Sequence, residues 1–158
     1  SDVTYFKYGN KAYFICAIID LYARMVVGYK IGKTNSTQLV KSTLKKAYMD
    51  RMPSPGLIFH TDRGSNYCSK TMNDCIQSLN ISTHFQAYVP YDNSVMESFF
   101  STLKREELYR TKYRSEADFR EAVDQYITFY NTKRPHRKLN YKTPQQKEQE
   151  YALENEAK

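Results

Sequence analysis

Three carboxylates occupy positions from which acids can do chemistry. Asp62 follows the apolar run Leu57-Ile58-Phe59 in GLIFHTDRGSNY, so it projects from the tip of a short buried strand just before a turn. Asp2 opens the β-branched and aromatic run VTYFKY. Glu97 lies in the first turn of a helix in YDNSVMESFF, where Val95, Phe99, Phe100 and Leu103 mark the face that packs. A strand start, a strand end and a helix N-terminus can converge at one rim of an α/β domain. Three such carboxylates repel one another unless divalent cations lie among them. Mg2+ is held by a few carboxylates together with waters and substrate phosphates. Two ions about 3.5–4 Å apart stabilise both the attacking and the leaving oxygen of an in-line displacement at phosphorus. That is the chemistry of nucleases and of polynucleotidyl transfer. Each acid also has a plainer reading: Asp2 as an exposed residue, Asp62 as a turn residue before Arg63-Gly64, and Glu97 as a favourable charge in a helix first turn. Asp20, in IIDLYAR, fits a turn or an ion pair with Arg24 better than a fourth ligand.

The elements that must position these acids follow from local pattern. Residues 3–8 read as a strand, Gly9-Asn10 as a turn, residues 12–19 as a strand buried on both faces, and residues 22–31 as a third strand. Together they form an antiparallel meander. Asn35-Ser36 caps a helix to about Met49, with Leu39, Val40, Leu44, Ala47 and Tyr48 at helical spacing, and Pro53 and Pro55 end it. The strand of residues 57–60 follows, then a helix capped by Ser69, then a short strand over residues 81–85. Residues 86–93 read as a loop. Long helices follow: one over about residues 93–108, one capped by Ser115 and running to about Asn131, and one opened by Thr143-Pro144. The order βββαβαβα predicts an α/β layered domain with a five-stranded mixed sheet, three antiparallel strands first, flanked by helices. No glycine-rich phosphate loop occurs, and three strands before the first helix argue against a doubly wound fold. Residues 1–150 are expected to form one domain, with residues 151–158 as a polar tail.

The chain has 158 residues and a net charge of +7. Residues 1–90 hold eleven Lys or Arg against five acids, so this stretch carries +6 of that charge. A basic surface of this kind suits a polyanionic partner. A second basic cluster, Lys133, Arg134, His136, Arg137, Lys138 and Lys142, lies in TKRPHRKLNYKTP with no acid among its residues. Phosphate contact there is one reading; the other has Arg134 and His136 tying the terminal helices to the sheet. His60 and His84 are read as structural. Cys16, Cys68 and Cys75 lack CxxC spacing, which fits buried thiols in a reducing compartment rather than a disulfide framework or a zinc site. No apolar run is long enough to span a membrane. Ser1 leads straight into a strand without an initiator Met, as in a fragment of a longer protein.

Five blocks, SDVTYF, IIDLYARMVVGY, HTDRGSNY, PYDNSVMESFFSTLKREEL and YITFYNTKRPHRKLNYKTP, stand in an order that resembles the catalytic core of an IS3-type insertion-sequence transposase, within the retroviral-integrase-like DDE superfamily. The resemblance covers almost the whole chain. It implies an RNase H-like fold and Mg2+-dependent DNA strand cleavage and transfer, with Mn2+ able to substitute. It implies that Asp2, Asp62 and Glu97 are the metal-binding catalytic acids. It further implies that Lys104, seven residues after Glu97, contacts terminal DNA. From charge alone, Lys133, Arg134, Arg137 and Lys138 of the basic loop are the further DNA-contact candidates. Asn93 is expected to cap the helix of Glu97, and Asp92 to be structural. The implied partners are DNA, both element ends and target, and further copies of the chain assembled on DNA, in the bacterial cytoplasm. Two departures stand out. The interval between Asp62 and Glu97 is one residue shorter than is usual in the family, a shortfall expected in a loop over residues 82–92 above the site. The family's N-terminal helix-turn-helix region, which recognises element ends, is absent from this chain. Two other readings compete: an RNase H-type nuclease that cuts without joining, and a DNA-binding relic without catalysis.

Overall fold

The computed structural model describes residues 1–62, 64–85 and 93–156. Its elements run β1 (Asp2–Tyr8), β2 (Lys11–Ile19), β3 (Val26–Gly32), α1 (Thr37–Arg51), β4 (Ile58–Thr61), α2 (Lys70–Ser78), β5 (Ser82–Phe85), α3 (Ser94–Leu103), α4 (Glu116–Thr132) and α5 (Pro144–Glu156). A π-helical turn, Lys104–Leu108, continues α3, and a 3-10 turn, Arg137–Leu139, interrupts the basic loop. The expected order of elements is therefore present. The sheet is divided differently: β1-β2-β3 form one sheet, while β4 and β5 pair in parallel as a second. β1 pairs antiparallel with β2 along its whole length, Asp2 opposite Ala17 and Tyr8 opposite Lys11. β4 meets β1 at its first residue, where the Ser1 nitrogen donates to the His60 carbonyl at 2.8 Å. Beyond that point β1 continues as the outer strand of the meander, so the five strands do not merge into one ladder.

β3 begins four residues later than its sequence pattern suggests. The Asp20 carboxylate accepts the Ala23 N–H at 2.7 Å, and the Asp20 N–H donates to the Met25 carbonyl at 2.8 Å. These bonds close a turn that holds Tyr22 and Arg24, with Arg24 at φ 60°. Asp20 is thus the turn residue expected of it.

The chain forms two compact units, Ser1–Ile19 with Val27–Phe100, and Asp20–Val26 with Ser101–Lys158. In the first, α1 buries Leu39, Val40, Leu44 and Ala47 against Cys16, Ile18, Phe59, Met72 and Ile76. Ser36 caps α1 by accepting the Leu39 N–H at 3.3 Å, and Ser69 caps α2 by accepting the Met72 N–H at 3.3 Å. Gly28 lets β3 lie close on α1: a Cβ there would stand 2.6 Å from the Ala47 Cβ. Neither atom is the end of a flexible chain, so strand and helix would have to part. Gly28→Ala should therefore destabilise by about 1–3 kcal/mol, read as a melting temperature several degrees lower.

In the second unit α4 buries Phe119, Val123, Tyr126, Ile127 and Tyr130. Ser115 caps it through the Asp118 N–H at 3.1 Å. Thr143 and Gln146 cap the start of α5 reciprocally, Thr143 N–H to Gln146 Oε1 at 2.8 Å and Gln146 N–H to Thr143 Oγ1 at 3.2 Å. The supposed tail is helical as far as Glu156, and Tyr151 stacks edge-on against Tyr22 with ring centres 5.1 Å apart. The thiols are all free, but Cys68 is exposed while Cys16 and Cys75 are buried. Cys68 precedes the N-cap of α2, outside the helix face that Met72, Cys75 and Ile76 bury, so the expectation of three buried thiols fails there.

Candidate active site

Asp2 and Asp62 come together through β1 and β4. Asp2 is half-buried at the start of β1, where its Oδ1 accepts the Val3 N–H at 2.7 Å. Burial raises its carboxyl above the usual carboxylate range, and the nearby Asp62 charge raises it further, against the pull of the Val3 and Asn93 hydrogen bonds. Asp62 stands just past the end of β4. Its Oδ1 accepts the Gly64 N–H at 2.9 Å, which folds the chain back in an Asx turn. A Cβ at position 64 would lie 2.9 Å from the same oxygen, so a larger residue there would push the Asp62 carboxylate aside.

The segment after Asp62 is anchored on several sides. Tyr67 N–H donates to the Gly64 carbonyl at 2.9 Å, and the buried Tyr67 hydroxyl meets Ser1 Oγ at 2.9 Å. Burial pushes the Tyr67 hydroxyl strongly up, so it stays protonated. Asn66 donates its amide to Asn35 Oδ1 at 2.7 Å, tying the turn to the start of α1.

Asn93 precedes α3 and does two things. Its carbonyl accepts the Glu97 N–H at 3.0 Å, the first helical bond, as expected of a cap position. Its side-chain amide donates to Asp2 Oδ2 at 3.1 Å, across 91 residues of sequence. Glu97 is exposed in the first turn of α3. Among the described residues, no three His, Cys, Asp or Glu side chains are gathered closely enough to hold a metal ion. The structure thus brings Asp2 near Asp62 and Asn93, while Glu97 is exposed and the three acids do not form a metal-binding group. An unpaired carboxylate at a helix N-terminus is stable in water, whereas a third charge beside two others is costly. Asp92 and the loop over residues 86–92 lie outside the described residues.

The oxygen donors of Asp2 and Asp62 suit a hard divalent cation, and their mutual repulsion is what such a cation relieves. Lys104 is half-buried and opens the π-helical turn that follows α3. Lys133, Arg137 and Lys138 are exposed. Arg134 instead donates two hydrogen bonds to Glu106, from Nε at 2.9 Å and Nη2 at 2.8 Å, with Tyr126 adding a third at 2.9 Å. His136 is buried, with its Nε2 3.2 Å from the Tyr130 carbonyl and its ring edge-on to Tyr130. Of the two readings of the basic loop, a structural role fits Arg134 and His136, but their bonds run to Glu106 and to Tyr130 of α4 rather than to the sheet.

A meander followed by alternating helices and strands, with two acids meeting at a strand start and a strand end, defines an α/β core of the RNase H-like, integrase type. Residues 1–88 match the integrase core domain family, residues 80–144 match a second integrase core domain family, and the chain belongs to the integrase core domains. It is 35% identical over 145 residues to the transposase for insertion sequence element IS904 of Lactococcus lactis subsp. lactis (strain IL1403), covering 90% of this chain and 57% of that protein. It is 31% identical to the transposase InsF for insertion sequence IS3A of Escherichia coli (strain K12), covering 92% of this chain and 51% of that one. The chain therefore spans about half the length of these curated relatives, and the IS3-type resemblance holds across it. Among solved structures, a chain of the simian T-cell lymphotropic virus intasome in complex with PP2A regulatory subunit B56 gamma has a TM-score of 0.77 at 21% identity, over 92% of this chain and 51% of that chain. The HTLV-2 integrase catalytic core domain in complex with magnesium, dimeric form, has a TM-score of 0.72 at 18% identity, over 92% of this chain and 90% of that chain. These likenesses show the fold.

Proposed function

We propose that the chain is the catalytic core of an insertion-sequence transposase, a DDE-type polynucleotidyl transferase that cuts DNA and joins the freed strand to a target. The observation that carries this reading is the Asp2–Asp62 pair in an integrase core, where burial and then the neighbouring Asp62 charge raise the Asp2 carboxyl. Relatives named as transposases and a magnesium complex of a similarly folded core support it. Asp2 and Asp62, with Glu97 as the third ligand, would hold Mg2+, for which Mn2+ would substitute. When bound, the ions supply an activated water or 3′-hydroxyl and charge stabilisation for the leaving oxygen. The protein's own part is placement: the Val3 N–H and the Gly64 N–H fix the two carboxylates, and α3 presents Glu97. Lys104, Lys133, Arg137 and Lys138 would contact DNA phosphates, a binding that weakens steeply with salt. Strand transfer needs two element ends held together, so copies of the chain would assemble on DNA, in the cytoplasm. Among the described residues no helix is long and apolar enough to cross a membrane.

The test is nicking of supercoiled plasmid. Wild type should nick in Mg2+ and not in chelator, and Asp2→Asn should lose on the order of a hundredfold or more, since catalysis of phosphoryl transfer is mostly positioning and charge stabilisation. Equal nicking by Asp2→Asn would remove Asp2 from the site.

A further inference from the structure

We infer that Asn93 is a positioning residue whose amide occupies Asp2 until a divalent cation displaces it; the inference rests on reading Asp2 and Asp62 as metal-binding acids. Both oxygens of Asp2 are engaged. Oδ1 takes the Val3 N–H at 2.7 Å, a donor that cannot leave without moving β1. Oδ2 takes the Asn93 amide at 3.1 Å, a donor on a side chain that can swing away. The amide N–H is a neutral stand-in for a cation: its partial positive charge faces the oxygen that looks away from the backbone. It offsets part of the repulsion from Asp62. A hydrogen bond to an ionised carboxylate is about twice as strong as one between neutral groups, so the amide is a real competitor for that oxygen.

Asn93 also holds the first helical bond of α3, through its carbonyl and the Glu97 N–H at 3.0 Å. One residue thus grips Asp2 with its side chain and the helix of Glu97 with its main chain. While the amide stays on Asp2, the start of α3 is tied to β1 in the arrangement in which Glu97 stands apart. Release of the amide frees Asp2 Oδ2 and unties that helix end together, so cation loading at the two aspartates and recruitment of Glu97 become one event. Asn suits this role better than Asp, which would add a third negative charge, and better than Ser, which keeps the cap but is too short to reach.

The experiment is MnCl2 titration of the metal-free chain without DNA, followed by calorimetry, for wild type, Asn93→Ala and Asn93→Ser. Both variants should bind Mn2+ about three- to tenfold more tightly, because the competing donor is gone, while melting slightly lower when metal-free. Serine suits a helix N-terminus as asparagine does, so tighter binding in that variant separates the lost amide from damage to α3. Unchanged or weaker Mn2+ binding in folded Asn93→Ser would overturn the role given to Asn93 and leave the metal site standing. Absence of Mn2+ binding in wild type would overturn the metal reading itself, and the inference with it.

Discussion

Asp62→Asn is expected to leave the chain folded and to abolish metal-dependent strand cleavage and transfer, a loss on the order of a thousandfold or more, since a metal site supplies several kcal/mol of transition-state charge stabilisation. The fold should survive for a specific reason. The structural duty of Asp62 is the acceptor for the Gly64 N–H at 2.9 Å, and an asparagine oxygen can fill it. The variant removes the Asp62 charge, which adds to burial in raising the Asp2 carboxyl, so without metal it should be as stable as wild type or slightly more stable. With Mn2+ at a hundred times its Kd, wild type should gain about 2.7 kcal/mol, a rise of roughly 5–10 °C in melting temperature for a chain of this size. The variant should gain almost nothing. A variant that is stable, unresponsive to Mn2+ and inactive would assign Asp62 to the metal. Retention of full activity by Asp62→Asn would defeat the proposed function.

The order of elements was legible because it depends on local signals. Ser36, Ser69, Ser115 and Thr143 each cap the helix they announce, and the apolar runs of β1 and β2 pair along their length. Where the reading slipped, a side-chain hydrogen bond had decided the outcome. Tyr22 to Met25 carry strand-like side chains, yet the Asp20 carboxylate turns that segment. The buried Asn131 then takes both backbone groups of Val26, N–H at 2.9 Å and carbonyl at 2.9 Å, so its side chain completes the hydrogen bonding where β3 begins. At the site, Asp2 and Asp62 could be nominated from strand ends. The Asn93 amide on Asp2 could not, because sequence spacing gives the cap position but not where the side chain points. The same limit applied to the basic loop: composition shows five cations and a histidine without an acid, but the acid that claims Arg134 lies 28 residues earlier.

Arg134→Ala should be among the most destabilising single changes outside the apolar core, at about 1.5–3 kcal/mol, the range for hydrogen bonds to charged groups. Arg134 and Glu106 have side chains only 23% and 27% exposed, and the fork of Arg134 meets both Glu106 oxygens. Removing the guanidinium leaves a half-buried carboxylate with the Tyr126 hydroxyl at 2.9 Å and the more exposed Arg105 at 3.9 Å as its remaining partners. Lysine offers a point charge without the planar fork, so Arg134→Lys should recover only part of the loss. The pH dependence has a definite sign. The Arg134 hydrogen bonds, helped by Tyr126, hold the Glu106 carboxyl below its usual range. A depressed folded-state value stabilises above the unfolded glutamate value of about 4.3 and is lost as pH falls through the folded one. The gap in melting temperature between wild type and Arg134→Ala should therefore be full at pH 7 and close on acidification below that value. Arg137→Ala and Lys138→Ala provide the contrast, because both side chains are exposed. If they meet phosphates, each should leave melting unchanged and lower the salt slope of DNA binding by about one. An Arg134→Ala variant that kept its melting temperature but lost DNA affinity in the same way would reverse the assignment and return Arg134 to the DNA-contacting set.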